Sequence, residues 1–88
     1  MEEATVTILN RLGIHVRPAA LIVQVSSKFQ SEVKLVKNGV EVNGKSIMGV
    51  MMLAAGQGSQ LTIIAEGKDE KEVVAALVEL VRARFNEE

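Results

Sequence analysis

Apolar and polar residues recur along this chain with two periods, and the changes of period mark out its elements. Over residues 4–9, Thr5 and Thr7 alternate with Val6 and Ile8, the pattern of a half-buried strand. Asn10, Arg11, Leu12 and Gly13 interrupt it as a loop. From about residue 16 to 29, Ala19, Ile22, Val23, Ser26 and Phe29 or Gln30 fall at helical spacing. Two β-branched runs, 33–36 and 40–42, flank Asn38-Gly39, a dipeptide suited to a two-residue hairpin turn with both central residues at positive φ. Asn43-Gly44 marks another turn, and Ser46 then stands where it can cap a short helix over 47–53, closed off by Gly56 and Gly58. Residues 61–66 read as a fourth strand with Leu61, Ile63 and Ala65 on one face. Asp69 followed by Glu72 has the spacing of a capping box. Beyond it, Val74, Leu77, Val78, Val81 and Phe85 form a buried helical stripe, with Arg82 and Arg84 in the last turn, where positive charge complements the helix dipole. The order strand, helix, strand, strand, helix, strand, helix predicts a two-layer α+β domain with helices covering one face of a four-stranded sheet.

Composition narrows the class. With 88 residues the chain is one domain, 1–88, with one modest core, and 48% apolar residues are enough to fold it. There is no cysteine, hence no disulfide and no thiolate metal site, and with a single histidine a zinc site would have to rely mostly on carboxylates, a poor ligand set; no metal and no cofactor are expected. A net charge of −1 without Trp or Tyr argues against a nucleic-acid surface. The acidic start, Met1-Glu2-Glu3-Ala4-Thr5, lacks the apolar core of a signal peptide, and no run approaches a membrane span. No membrane insertion and a cytoplasmic location are expected.

Candidate chemistry is concentrated in Gly13-Ile14-His15-Val16-Arg17-Pro18, which holds the only histidine and the only proline of the chain. A neutral imidazole is a good nucleophile, and an arginine offers a planar fork of N–H donors that matches phosphate oxygens. Proline is at home in the first turn of a helix, and free amides at a helix N-terminus attract anions and disfavour positive charge. Taken alone, a histidine at a helix start is an ordinary polar residue, and Ser46 is an ordinary cap. Met48, Met51 and Met52 could be core filler, but a short helix cannot bury Ile47, Met48, Val50, Met51, Met52 and Leu53 on one stripe, so some of them must face water.

Three blocks, Gly13 to Ala20, Gly44-Lys45-Ser46-Ile47-Met48-Gly49-Val50-Met51 and Glu66-Gly67-Lys68-Asp69-Glu70, give the chain a resemblance to a known family. It resembles the HPr family, the histidine-containing phosphocarriers of the bacterial phosphoenolpyruvate-dependent sugar phosphotransferase system, from about residue 5 to 85. The resemblance implies an open-faced β-sandwich, a four-stranded antiparallel sheet with three helices on one face. It implies a phosphoryl acceptor at His15, a phosphate-binding Arg17, a regulatory phosphorylation site at Ser46, and a partner-binding surface of Ile47, Met48 and Met51 with Ala20 and Gln24. The implied role is a stoichiometric carrier, not a turnover enzyme, that is a monomer. It takes phosphoryl from enzyme I, with phosphoenolpyruvate as original donor, and passes it to sugar-specific enzyme II proteins through their A-type domains; a kinase/phosphorylase acting on Ser46 is a further implied partner. Ile14 and Val16 stand where the family more often has Leu and Ala, and Ala54 where many members have Gly. Met52 and Leu53-Ala54-Ala55 resemble the nitrogen-related branch, so a regulatory carrier of that branch is one alternative. A docking module that carries no phosphate is another, against which His15 and Arg17 speak.

Overall fold

A computed structural model describes residues 1–87. Its elements are β1 (Glu2–Thr7), α1 (Val16–Ser27), β2 (Glu32–Lys37), β3 (Val40–Asn43), α2 (Ile47–Met52), β4 (Gln60–Glu66) and α3 (Glu70–Arg82), followed by a single turn, Arg84–Asn86. The four strands form one antiparallel sheet in the order β1-β4-β2-β3. The period-two alternation decides which face is covered. Ala4 lies opposite Ile63, Ile63 opposite Leu35, and Leu35 opposite Val42, one apolar row across all four strands. The next residue along each strand points the other way. Thr5, Thr62, Val36 and Glu41 form a row on the open face, where the Thr5 and Thr62 hydroxyls are 3.0 Å apart. The chain is thus an open-faced α+β sandwich, with α1 and α3 packed together, α3 lying on β1 and β4, and α2 between α1 and β3. Among the described residues, no helix is long and apolar enough to cross a membrane.

The hairpin forms as its dipeptide requires: Asn38 and Gly39 take φ of +50° and +79°. β1 begins two residues earlier than the alternation suggests, because Glu2 and Glu3 pair with Ala65 and Ile64. It ends at Thr7, and beyond it Ile8 exchanges bonds with the loop before β4, donating to Ser59 O and accepting from Gly58 N at 2.9 and 2.8 Å.

The expected capping box on α3 does not form. Asp69 occupies the N-cap position, but its side chain makes no capping bond. Its carboxylate instead accepts from the amides of Gln30 and Ser31 at 3.0 and 2.9 Å, and from the Ser31 hydroxyl at 2.5 Å. Ser31 is buried, so its amide and hydroxyl would lose their partner if Asp69 turned to its own helix, and satisfying them outweighs one local cap. The loop between α1 and β2 is thereby fastened to the start of α3.

α3 also ends early. Phe85 is fully buried as its spacing from Val81 suggests, but it lies beyond the helix, and Arg84 is not in the last helical turn. Arg84, Phe85 and Asn86 take φ of +55°, +55° and +58°, a left-handed turn. Such a backbone costs about 1–2 kcal/mol per residue, less for asparagine, and the burial of the Phe85 ring offsets it.

The Asp69 linkage sets an expected acid response. The Ser31 hydroxyl, then the Gln30 amide, hold the Asp69 carboxyl down at about 2, against an ordinary 3.8. Its contribution is therefore complete above 3.8 and is lost as pH falls towards 2. Urea unfolding of the parent and Asp69→Asn should show a less stable variant at pH 7 and a gap that closes across that window. A gap constant with pH would show that the carboxylate charge contributes nothing.

Candidate functional site

Gly13 decides where the histidine sits. It takes φ of +68°, and a Cβ there would fall on the carbonyl oxygen of Ala55 and within 2.8 Å of Gly56 Cα. The contact is so close that Ile14 N donates to Ala55 O at 2.9 Å, tying the loop before α1 to the loop after α2. His15 follows as the N-cap of α1, its backbone extended and its carbonyl accepting from Ala19 N at 3.0 Å. The ring takes no part in capping and remains 37% exposed. Val16 and Arg17 occupy the first turn, where their amides have no intrahelical acceptor, and Pro18 removes the next donor without cost.

Residues near the end of the chain complete this site. Glu87 Oε2 lies 2.8 Å from His15 Nε2 and 3.9 Å from Arg17 Nη1. Glu87 Oε1 accepts from Nδ2 of the buried Asn10 at 2.7 Å, and the same amide donates to Gly13 O at 2.7 Å. Arg17 Nη1 donates to Phe85 O at 2.9 Å. Partial burial works against a charged Glu87, but hydrogen bonds from Asn10 and His15, with the charges of His15 and Arg17, outweigh it and hold its pKa below the usual value. An ionised carboxylate only accepts, so His15 Nε2 carries the proton, and in the neutral ring the lone pair resides on Nδ1. Arg17 has five N–H donors, of which one is spent on Phe85 O.

The sequence brought His15 and Arg17 forward together, and both lie near Glu87 here, but it missed Asn10, Phe85 and Glu87 in the same cluster. In the sequence Asn10 reads only as a loop residue, and nothing in it marks Glu87; 72 residues separate Glu87 from His15, and no periodicity spans that distance. His15 and Glu87 supply only two potential metal donors, and among the described residues no group of three or more converges.

Ser46 caps α2, its hydroxyl accepting from Gly49 N at 3.1 Å. Of the six apolar residues in question, Val50 and Leu53 are buried, while Met48 and Met52 are 77% and 74% exposed, and Ile47 and Met51 are also exposed. Across from them on α1, Val16, Ala20 and Gln24 lie at four-residue spacing, Ala20 half-buried and the other two exposed. Leu12 and Val16, 69% and 61% exposed beside His15, extend the apolar surface to the histidine loop. Neither was singled out for this from the sequence, where a loop leucine gives no sign of its direction.

Ala54 takes φ of +50°, the conformation for which glycine is suited, which explains a preference for Gly at this position.

A family model described as "PTS HPr component phosphorylation site" matches residues 2–83. Among curated relatives, a phosphocarrier protein HPr of Treponema pallidum is 52% identical over 84 residues, covering 96% of each chain. Among solved structures, HPr-C-His of Thermoanaerobacter tengcongensis superimposes with a TM-score of 0.96 at 49% identity, covering 100% of this chain and 99% of that one. An HPr dimer of the same organism gives a TM-score of 0.78 at 48% identity, covering 97% and 98%.

Two substitutions with opposite signs check the loop geometry. Gly13→Ala should cost about 2–4 kcal/mol in urea unfolding, from left-handed strain and the clash with backbone. Ala54→Gly should be neutral or stabilising by up to about 1 kcal/mol, as relief of strain outweighs the added freedom of the unfolded chain. Equal effects at the two positions would contradict this account.

Proposed function

The chain belongs to the HPr family of phosphocarrier proteins, and from that premise we propose that it accepts a phosphoryl group on His15 from enzyme I and passes it to the A-type domains of sugar-specific enzyme II proteins. The observation that carries this reading is the half-exposed His15 ring, held at the start of α1 with a free lone pair and with the Arg17 guanidinium beside it. A carrier needs a nucleophile that partners can reach in turn, and a grip on phosphate weak enough to let it go. An exposed imidazole, two open helix amides and one arginine meet both needs. The family's phosphoenolpyruvate-dependent chemistry makes the protein a stoichiometric intermediate with a phosphohistidine state, acting in the cytoplasm. The relatives' shared name, phosphocarrier protein HPr, supports the carrier role.

Ile47, Met48 and Met51, with Ala20 and Gln24, form the proposed docking surface, and Leu12 and Val16 extend it. Exposed methionines suit successive partners because their flexible thioethers repack. The chain works as a monomer in this reading, since the surface must be free to meet each partner. A kinase/phosphorylase acting on Ser46 would place a phosphate beside Ile47 and Met48, within the surface a partner must desolvate.

Transfer from phosphorylated enzyme I tests the acceptor. His15→Ala should abolish an acid-labile, alkali-stable label and change stability by less than about 0.5 kcal/mol. Label persisting in that variant would overturn the assignment. Arg17→Ala should slow transfer about 100-fold, with Arg17→Lys recovering only part, because a point charge lacks the fork. Normal rates in Arg17→Ala would remove arginine from the phosphate site.

A separate measurement addresses docking. Ser46→Asp should keep its melting temperature while the half-saturating concentration of enzyme I rises about tenfold, with most of the maximal rate retained. An unfolded variant would make Ser46 a structural cap only. Normal transfer at low enzyme I would place the patch outside the interface.

A further inference from the structure

Glu87 lies beyond the residues 2–83 that the family model matches, yet it touches the proposed acceptor. Two contacts fix it from the histidine loop itself. Asn10, wholly buried, grips Oε1 while holding the carbonyl of Gly13, and Nε2 of His15 meets Oε2 at 2.8 Å. Carboxylate and ring are thus referred to the same piece of backbone. The left-handed turn at Arg84–Asn86 brings Glu87 there, at the cost of three residues with positive φ.

We propose that Glu87 is a positioning residue for phosphoryl transfer: its carboxylate holds the proton on His15 Nε2, presents the Nδ1 lone pair, and balances the positive charge the ring gains when Nδ1 bonds phosphorus. This rests on His15 being the acceptor. In the forward step the Nδ1 lone pair forms the N–P bond, and the bond from phosphorus to the donor's leaving atom breaks, its electron pair staying with that atom. The proton on Nε2 does not move. The ring becomes cationic with the carboxylate beside it. When the phosphoryl group passes to the next partner, the N–P electron pair returns to Nδ1 and the ring is neutral again, still protonated on Nε2. A carboxylate in this relation to an imidazole fixes the tautomer and stabilises the imidazolium that forms.

The same carboxylate could be imagined as a block that occupies the phosphate's place. The distances favour the positioning role. Oε2 is in hydrogen-bond range of Nε2, but 3.9 Å from Arg17, whose Nη1 is bonded to Phe85 O. A phosphoryl group on Nδ1 bonds the other ring nitrogen and leaves the Nε2 contact in place.

The test combines a spectrum of the unphosphorylated chain with single-turnover transfer from phosphorylated enzyme I. Proton–nitrogen spectra of the parent should show an exchange-protected Nε2 proton on His15. It should vanish in Glu87→Ala and persist in Glu87→Gln, whose amide oxygen still accepts. Glu87→Ala should lower the maximal transfer rate about tenfold while the half-saturating concentration moves less than about twofold. Glu87→Gln should recover part of the rate, keeping the bond without the charge. A Glu87→Ala rate equal to or above the parent's, or an unchanged Nε2 proton, overturns the proposal for Glu87 alone. A parent chain that takes no phosphoryl on His15 overturns the function itself, and the role of Glu87 in transfer with it; in that case the Nε2 proton would still respond to Glu87→Ala.

Discussion

The contact between Gly13 and the carbonyl of Ala55 is the constraint on which the site depends. A loop that must hold a reactive ring in the open has few ways to be rigid, because the ring cannot be packed in place. Here rigidity comes from the backbone underneath. Gly13 lies against Ala55 and Gly56 with no room for a Cβ, and Ile14 N donates to the same carbonyl at 2.9 Å. His15 can then be half-exposed and still well placed. The other side of that contact is the loop leaving α2, so the apolar surface of α2 and the histidine are parts of one fixed arrangement. Under the proposed function, a partner docking on Met48 and Met51 would meet His15 at a set distance and angle, as transfer between two proteins requires.

The end of the chain supplies the second half of the site through a trade of strain for packing. Phe85 is buried completely, and the left-handed turn that contains it is locally unfavourable. The turn directs the Phe85 carbonyl to Arg17 and the Glu87 side chain to His15 and Asn10. A hydrophobic anchor thus sets polar groups that have no rigid element of their own. Unusual backbone near a functional site is often of this kind, tolerated because its surroundings determine it.

The methionine-rich surface shows a different balance. α2 is short, and burying Val50 and Leu53 uses its inner side. Ile47, Met48, Met51 and Met52 remain outside, and Leu12 and Val16 are exposed as well; exposed apolar groups in such number suit contact with partners.

Much of this was legible in the residues. The two-residue hairpin, the alternation of β1 and β4, the Ser46 cap and the first turn of α1 all rest on contacts within a few positions, where the stereochemistry of Asn-Gly, of β-branched residues and of proline acts directly. The arithmetic of a short helix over 47–53 also showed that some of its six apolar side chains must be exposed. Local rules misled at both ends of α3, where Asp69 has a better use than capping its own helix and where no Gly or Pro announces the stop before Arg84. The pairing of Glu87 with His15 was beyond any such rule. It depends on where the last helix ends in space relative to a loop 72 residues earlier. Periodicity and turn chemistry therefore gave the order of the elements and the local conformation around His15. Which side chain meets the imidazole was decided by tertiary packing, because a hydrogen bond between distant residues exists only once the core has fixed both backbones that carry it.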